Sequence, residues 1–330
     1  MSGPVAGRPG DRGRSLPQPR ESADRCALQA QLRGDPMLGT APPARRLLLV
    51  EQSGPWGPRG LVDSRADPEV ATRIDVAAAA GGARMQVIRR PGRHADHASD
   101  GHRVCLADVE SGVTSWWHAA TLAELADTLE ASVQEGPDGA RTLRAPSDAR
   151  ADPAPIYLVC THGKHDACCA LRGRPVVREL AAVRPGRVWE TTHVGGDRFA
   201  ANVLVLPYGE LYGRVLPFAA GEFAARVDEG LVVPELMRGR LGLAPVAQAA
   251  LVHAHGRLAE PHRDALSVRG LERVDADTTR VRLRTPHGTA VVTMAASTTE
   301  PEQLTCRGAS PARARVYRGT SITWESASAP

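Results

Sequence analysis

The feature that most constrains the fold is an order of strands and helices that occurs twice along the chain. In residues 24–145, apolar patterns predict strand, helix, three strands and helix, at 45–51, 67–80, 84–90, 103–109, 114–119 and 121–133. In residues 152–238 they predict the same order, at 156–160, 174–183, 187–192, 202–207, 210–215 and 221–229. Short apolar runs indicate the strands, and apolar residues at helical spacing indicate the helices.

A strand, a crossover helix, a parallel strand, a β-hairpin and a last helix form the order of a thioredoxin-like unit whose middle helix is reduced to a loop. We therefore expect an α/β (α+β) protein with two tandem thioredoxin-like halves. A ferredoxin-like βαββαβ unit is the competing interpretation, but it requires a helix between the hairpin strands. Residues 239–318 predict a small α+β appendage, with a helix at 245–259 and a hairpin after it.

The two ends of the chain have the composition of flexible segments. Residues 1–23 are rich in Gly, Pro and Arg, which predicts a disordered basic tail, and residues 319–330 are expected to be a flexible tail. Residues 1–46 hold eight arginines against four acids, which accounts for the whole net charge of +4. The remainder is close to neutral and no aromatic-rich basic motif accompanies the tail, so we expect no nucleic-acid partner.

Neither a membrane segment nor a secretory signal is expected. No apolar run approaches the ~20 residues that span a bilayer, and the N-terminus lacks the apolar stretch of a signal peptide. The six cysteines are too few for a disulfide scaffold, and their clustering is typical of metal or redox chemistry in a reducing compartment. We therefore expect a cytoplasmic protein without a membrane partner.

The stretch CTHGKHDACC, residues 160–169, concentrates potential ligands in one loop. It holds three of the six cysteines, two of the eleven histidines and the single lysine, Lys164, of a chain with forty arginines. Cys160 ends a predicted strand, whereas Cys168 and Cys169 open the helix that follows. Buried strand packing alone does not require such a group of residues.

A second loop, THVGGDRF at 192–199, follows the next predicted strand and supplies His193 and Asp197. In a thioredoxin-like unit both loops project from the same end of the sheet, so their side chains are expected to share one site. The adjacent Gly195 and Gly196 let the backbone approach a ligand closely, because they lack a Cβ atom.

Three kinds of site are consistent with these residue types. A [2Fe–2S] cluster needs two ligands for each iron, usually four thiolates and sometimes two histidines on one iron. A structural zinc ion accepts cysteine, histidine and aspartate ligands. A thiol redox site uses an activated thiolate near a helix N-terminus, and the adjacent Cys168 and Cys169 are the candidates for such a reductase.

These segments also carry a resemblance to a known family. CTHGKHDACCALRGRP and VWETTHVGGDRFAANVLVLPYGELYGRV, together with the earlier GTAPPARRLLLVEQSGPWG and IRRPGR, resemble the sucrase/ferredoxin-like family. The resemblance covers most of residues 26–240 and its motifs occur in the same order. It implies a thioredoxin-like [2Fe–2S] ferredoxin, and the absence of a convincing pair of catalytic carboxylates argues against a glycosidase.

The resemblance further implies a set of cluster ligands. In relatives, a C-x₈-C pair and an H-x₃-H pair hold the cluster, and these positions map onto Cys160, Cys169 and His193 of this chain. The second histidine position is Asp197, which departs from the pattern. The fourth ligand is therefore left open between Asp197 and Cys168.

Several neighbours are expected to tune such a cluster. Lys164 and Arg198 would offset its negative charge, and His162 and His165 would donate hydrogen bonds or guide protons. Asp166 is expected to cap the helix that begins near residue 167. The three cysteines outside the two loops are expected to be structural thiols: Cys26, Cys105 and Cys306.

The interpretation that follows is a soluble iron–sulfur electron-transfer protein with one [2Fe–2S] cluster of mixed cysteine and histidine ligation in residues 152–238. Residues 24–145 would form a half without ligands. We expect an electron carrier for an unidentified redox partner protein rather than a stand-alone enzyme. The alternatives are a thiol-dependent reductase that uses Cys168 and Cys169, and a zinc-stabilised interaction module. The oligomeric state stays open.

Overall fold

A computed structural model describes residues 23, 25–92, 100–136 and 139–325. The helices in these ranges are α1 Cys26–Leu32, α2 Pro68–Ala80, α3 Leu122–Ser132, α4 Ala167–Val183, α5 Ala220–Asp228 and α6 Pro245–Arg257. The strands are β1 Arg46–Glu51, β2 Ala83–Arg89, β3 His102–Asp108, β4 Val113–Ala119, β5 Val133–Glu135, β6 Arg141–Leu143, β7 Arg150–Asp152, β8 Ile156–Cys160, β9 Val188–Thr191, β10 Val203–Leu206, β11 Glu210–Tyr212, β12 Met237–Arg240, β13 Ser267–Arg273, β14 Thr278–Thr285, β15 Gly288–Thr298 and β16 Arg315–Trp324. The protein is therefore of the mixed α+β class, as predicted.

Ten strands form one continuous sheet in the order β12-β11-β10-β8-β9-β2-β1-β3-β4-β7. In the first half, β1 pairs parallel with β2 and antiparallel with β3, and β3 pairs antiparallel with β4. In the second half, β8 pairs parallel with β9 and antiparallel with β10, and β10 pairs antiparallel with β11. The two halves thus share one strand arrangement, and they join edge to edge where β2 pairs antiparallel with β9.

The predicted order of elements agrees with the structure in both halves, with one large difference in a boundary. The apolar pattern placed the start of this helix at residue 174, whereas α4 begins at Ala167, where the expected cap at Asp166 placed it, and Pro175 lies inside it. Asp166 sets the start, because its carboxylate accepts a hydrogen bond from the backbone N–H of Cys168 at 2.8 Å. The predicted cap at Asp166 is therefore confirmed, and it places Cys168 and Cys169 in the first turn of the helix.

The elements that the sequence analysis missed are several short ones and the two outer strands of the C-terminal sheet, β13 and β16. Helix α1 and strands β5, β6, β7 and β12 are short segments without a clear apolar period, and β12 is defined by its pairing with β11. Residues 319–324, expected in a flexible tail, form the end of β16, which pairs along its length with β15. The predicted tails at 1–22 and 326–330 lie outside the described residues.

The C-terminal part contains a second sheet, in the order β13-β14-β15-β16, against which α6 packs. Sequence analysis predicted α6 and the β14–β15 hairpin but neither outer strand of this sheet. Among the described residues, no helix is long and apolar enough to cross a bilayer.

Alternation along the strands divides the core of the large sheet into two faces. In β1, Leu48 packs with residues of α2 and α3, whereas Leu47 and Leu49 face the other side. That second face runs through both halves and includes Cys160 and Cys169. The two cysteines of the C-x₈-C motif therefore lie within a core that the halves share.

Helix α4 packs tightly against strand β8 at Gly173. A Cβ atom there would lie far inside contact distance of the Cys160 carbonyl oxygen. Alanine normally stabilises a helix interior relative to glycine by roughly 1 kcal/mol, but here the helix would have to move off the strand. We expect Gly173→Ala to lower the free energy of unfolding by about 1–3 kcal/mol, measured by denaturant titration.

Gly256→Ala in α6 is the matched control for this prediction. The nearest atom to a Cβ at Gly256 lies 3.9 Å away, which is an ordinary contact. The substitution should therefore be neutral or slightly stabilising. Equal destabilisation by the two changes would contradict the packing argument.

Candidate metal centre

The candidate site lies at the edge of the sheet where β8 and β9 end. Cys160 is the last residue of β8, and Cys169 lies at the start of α4. His193 follows β9, and Asp197 begins a 3₁₀ turn. Because β8 and β9 are parallel neighbours, with Cys160 opposite Thr191, their carboxyl ends meet at one edge.

We refer to Cys160, Cys169, His193 and Asp197 as the Cys–His–Asp site. The first three place ligand atoms within 4.8 Å of one another. The Cys169 thiol donates to Asp197 Oδ1 at 3.1 Å, and His193 Nδ1 lies 2.9 Å from the same oxygen. The two cysteines and Asp197 are buried, whereas 22 % of the His193 side chain is exposed. The structure thus brings together four of the five residues predicted as ligands.

The contact between His193 and Asp197 is short but poorly aligned. Despite the 2.9 Å separation, the buried Nδ1 atom of His193 has no hydrogen-bond partner among the described residues. Two ligands of one metal lie this close without pointing at each other, because each directs a lone pair at the ion. The 2.9 Å separation fits two ligands of one metal, and with a protonated His193 it also fits an ion pair.

The protonation of the site favours ligand forms of sulfur. Contact with Cys169, and then with His193, holds the pKa of Cys160 well below its ordinary value, while the same Cys160 contact raises the pKa of Cys169. Burial lowers the pKa of His193, but Asp197 and Cys160 outweigh it and raise that pKa to about 9. The lowered pKa of Cys160 favours its thiolate form, whereas the raised pKa of His193 means that its imidazole would release a proton on binding a metal.

Two further histidines contact His193, one through a hydrogen bond to its backbone and the other through stacking of the rings. His162 is buried; its Nε2 lies 2.8 Å from the Gly57 carbonyl oxygen and its Nδ1 accepts the backbone N–H of His193 at 3.2 Å. Both of its nitrogens are therefore occupied, and it fixes the His193 backbone to the loop after β1. His165 instead stacks on the His193 imidazole, with ring centroids 3.9 Å apart, and its side chain is 39 % exposed.

A buried arginine that the sequence analysis did not name lies near the site, besides the two cations that were predicted there. Lys164 is exposed, and Arg198 Nε lies 3.4 Å from an Asp35 carboxylate oxygen. Arg238 of β12 is fully buried, and the charges of Asp197 and Cys169 act on its guanidinium. Sequence reasoning missed Arg238, because no local motif connects it to the two loops.

Arg238 holds the loop after β9 in place. Its guanidinium donates to the Gly195 carbonyl at 2.7 Å, to Asn202 Oδ1 at 2.8 Å and to the Thr40 carbonyl at 2.6 Å. Burial lowers its pKa to about 9. A Cβ atom on Gly196, whose φ is +73°, would collide with this guanidinium. Residue 196 is therefore a glycine because the backbone lies against the Arg238 side chain there, and not against a bound ligand as the sequence analysis expected.

Cys168 lies apart from the Cys–His–Asp site. Its Sγ atom is 3.7 Å from that of Cys26 and 3.4 Å from that of Cys306. We call these three residues the cysteine triad. This placement favours Asp197 over Cys168 as the fourth ligand, and it puts the sulfurs of Cys168 and Cys169 in different groups. A reductase that uses this adjacent pair therefore gains no support.

The three cysteines expected to be structural thiols have different surroundings. Cys105 is buried in β3 within the shared core, as that expectation requires. Cys26 and Cys306 are not isolated packing residues, since they meet Cys168 although they are far apart in the sequence.

A mixed α+β fold in which two cysteines meet a histidine and an aspartate defines a protein with a candidate metal centre. Comparison with known sequences identifies its family: the chain belongs to the sucrase/ferredoxin-like family, whose sequence profile matches residues 37–239. The match includes the Cys–His–Asp site and Arg238.

Two curated relatives from yeasts match part of the chain. Altered inheritance of mitochondria protein 32 of Candida glabrata is 28 % identical over 101 residues, which is 26 % of this chain and 32 % of that protein. The protein of the same name from Meyerozyma guilliermondii is 32 % identical over 98 residues, which is 26 % of this chain and 34 % of that protein. The chain thus spans about a third of the length of these relatives. No solved structure matches it.

Proposed function

We propose that the protein is an electron carrier that holds one [2Fe–2S] cluster at Cys160, Cys169, His193 and Asp197. The observation that carries this proposal is the convergence of two buried thiols and a histidine nitrogen within 4.8 Å of one another, beside the buried carboxylate of Asp197. A [2Fe–2S] cluster needs two ligands for each iron, and the Cys–His–Asp site offers four donors. The family to which the chain belongs supports the same chemistry by its name.

The contacts within the site suggest how the ligands divide. Cys160 and Cys169 lie side by side and would hold one iron, while His193 and Asp197, 2.9 Å apart, would hold the other. When bound, the cluster would accept and release one electron. The buried Arg238 would offset part of the negative charge of two thiolates and one carboxylate.

Histidine side chains connect the Cys–His–Asp site to the protein surface. His162 keeps His193 in position through the 3.2 Å hydrogen bond to its backbone. The imidazole of His193 is partly exposed, and the half-exposed ring of His165 stacks on it. We therefore propose that an unidentified redox protein, rather than a nucleic acid or a membrane, docks over His165 to exchange electrons.

The proposal assigns different roles to the two halves of the chain. Residues 152–238 would be a thioredoxin-like ferredoxin unit and residues 24–145 a thioredoxin-like scaffold without ligands. The shared strand arrangement of the two halves supports this. The first half still contributes the Gly57 carbonyl that anchors His162. Six free cysteines in the described residues agree with a reducing, cytoplasmic location.

A structural zinc ion in the same place is the second candidate. Ligand atoms of Cys160, Cys169 and His193 all lie within 4.8 Å of one another, which is compact enough for a single tetrahedral ion. The protein would then be a zinc-stabilised interaction module.

Anaerobic purification distinguishes the two candidates. We expect a brown protein with about two iron and two sulfide per chain, and an S = 1/2 EPR signal after reduction with dithionite. A colourless protein that contains zinc but no sulfide, even after reconstitution with iron and sulfide, would rule out the cluster.

A further inference from the structure

Three cysteines from distant parts of the chain meet at the first turn of helix α4, separately from the Cys–His–Asp site. Cys26 opens α1, Cys168 lies in the first turn of α4, and Cys306 lies in the segment before β16. Their Sγ atoms form a nearly equilateral triangle: 3.7 Å between Cys26 and Cys168, 3.4 Å between Cys168 and Cys306, and 3.5 Å between Cys306 and Cys26.

This triangle has the dimensions of a metal site and not of a disulfide. A disulfide joins two sulfurs at about 2.05 Å and leaves the third unused, whereas here all three separations are similar. Tetrahedral zinc with Zn–S bonds of about 2.3 Å separates its sulfur ligands by about 3.8 Å. An ion about 1 Å above the plane of the three sulfurs would reach each of them with little movement.

Asp166 supplies a fourth donor beside the cysteine triad. It is fully buried, and its Oδ1 accepts the backbone N–H of Cys168 at 2.8 Å. Its Oδ2 accepts the backbone N–H of Cys306 at 2.7 Å and lies 3.6 Å from Cys26 Sγ. Each backbone bond occupies one lone pair, so a lone pair of Oδ2 remains directed toward the thiols.

One buried arginine lies within electrostatic reach of the cysteine triad, and another arginine fastens the segment of Cys306. Three thiolates and a carboxylate around Zn²⁺ carry a net charge of −2. Arg198 is buried, and the charge of Cys26 acts on its guanidinium. Arg307 donates a hydrogen bond to the Lys164 carbonyl, which fastens the segment of Cys306 to the loop that precedes α4.

We propose that Cys26, Cys168, Cys306 and Asp166 bind one zinc ion, in a site separate from the proposed cluster. On binding, the thiols release their protons to solvent and Zn–S bonds form with no change of oxidation state. The ion would cross-link α1, α4 and the segment before β16. Cys26 and Cys306 both lie outside residues 37–239, so this clasp joins the two segments that flank the family match.

Metal analysis of the full chain tests this proposal. To prevent zinc from occupying the cluster position, the background is the double variant Cys160→Ser/Cys169→Ser. We expect it to retain about one zinc per chain after exposure to zinc and desalting. Adding Cys26→Ser and Cys306→Ser should lower the zinc content at least about tenfold. Adding Cys105→Ser instead is the matched control, because this buried cysteine lies outside the triad, and it should change nothing.

X-ray absorption at the zinc edge of the Cys160→Ser/Cys169→Ser protein, in which the triad is intact, gives a test that does not depend on the folding of triad variants. We expect about three sulfur neighbours near 2.3 Å and one oxygen near 2.0 Å, without imidazole. Zinc bound through imidazole, no retained zinc, zinc content insensitive to loss of the triad, or a disulfide between two triad cysteines would each overturn the proposal. Parallel iron and sulfide assays keep its failure distinct from failure of the cluster.

Discussion

Serine in place of Cys160 or of Cys169 is expected to remove nearly all iron and sulfide from the anaerobically purified protein. Each cysteine would supply one of two thiolates, and both lie in the core. A serine hydroxyl is a poor ligand for a soft iron–sulfur centre, and burial gives water little access to replace it. We expect iron to fall from about two per chain to below about 0.2, with loss of the visible absorption.

Cys168→Ser and Cys105→Ser are the matched controls for this prediction. Cys168 is the sequence neighbour of Cys169, but its sulfur lies in the cysteine triad. Cys105 is equally buried and lies in the same core face as Cys160. Both variants should keep about the full content of iron and sulfide. Loss of the cluster in Cys168→Ser, with retention in Cys169→Ser, would exchange the roles that the structure favours for these two residues.

Elements with a strong apolar pattern could be predicted from sequence, and elements held mainly by pairing could not. Strand β8, IYLVC, is apolar at every position and is fully buried, so its pattern alone identifies it. Strand β12, MRGR, shows no such pattern and exists because β11 offers it a hydrogen-bonding edge. The same reason explains β16, whose predominantly polar sequence suggested a flexible tail.

The residues of the candidate site also divide into those that local sequence patterns predict and those that only the folded chain brings together. Cys160, Cys169 and His193 lie in two loops that follow neighbouring strands, so local motifs and the order of strands together predict their meeting. Arg238 and the partners of Cys168 come from segments without a local motif, and only the folded chain brings them close. Cys26 and Cys306 lie 142 and 138 residues from Cys168.

Helix geometry helps to explain why the sulfur atoms of Cys168 and Cys169 lie in different groups. Consecutive residues of a helix point about 100° apart around its axis. Two adjacent cysteines in the first turn of α4 therefore cannot readily face one ligand, but they can face two. The capped start of α4 at Asp166 thus explains why one sulfur reaches Asp197 and the other reaches Cys26.

A histidine in place of Asp197 is expected to raise the midpoint potential of the cluster by about 100 mV or more. The change replaces an anionic carboxylate by a neutral imidazole, which makes the oxidised cluster less negative and the added electron more favourable. Four-thiolate centres lie near about −400 mV, whereas centres with two histidines lie between about −150 and +300 mV. Asp197→His would move the site toward the second group, as measured by a redox titration followed by EPR.

The dependence of the potential on pH distinguishes ligation from simple charge removal. Imidazole ligands can lose protons from their free nitrogens and His193 is partly exposed, so the potential of Asp197→His should fall with rising pH by up to about 59 mV per unit. Asp197→Asn also removes the negative charge but adds no imidazole, so it should raise the potential without that new slope. Equal behaviour of the two variants would mean that residue 197 acts on the cluster through its charge alone, and the fourth ligand would have to come from elsewhere.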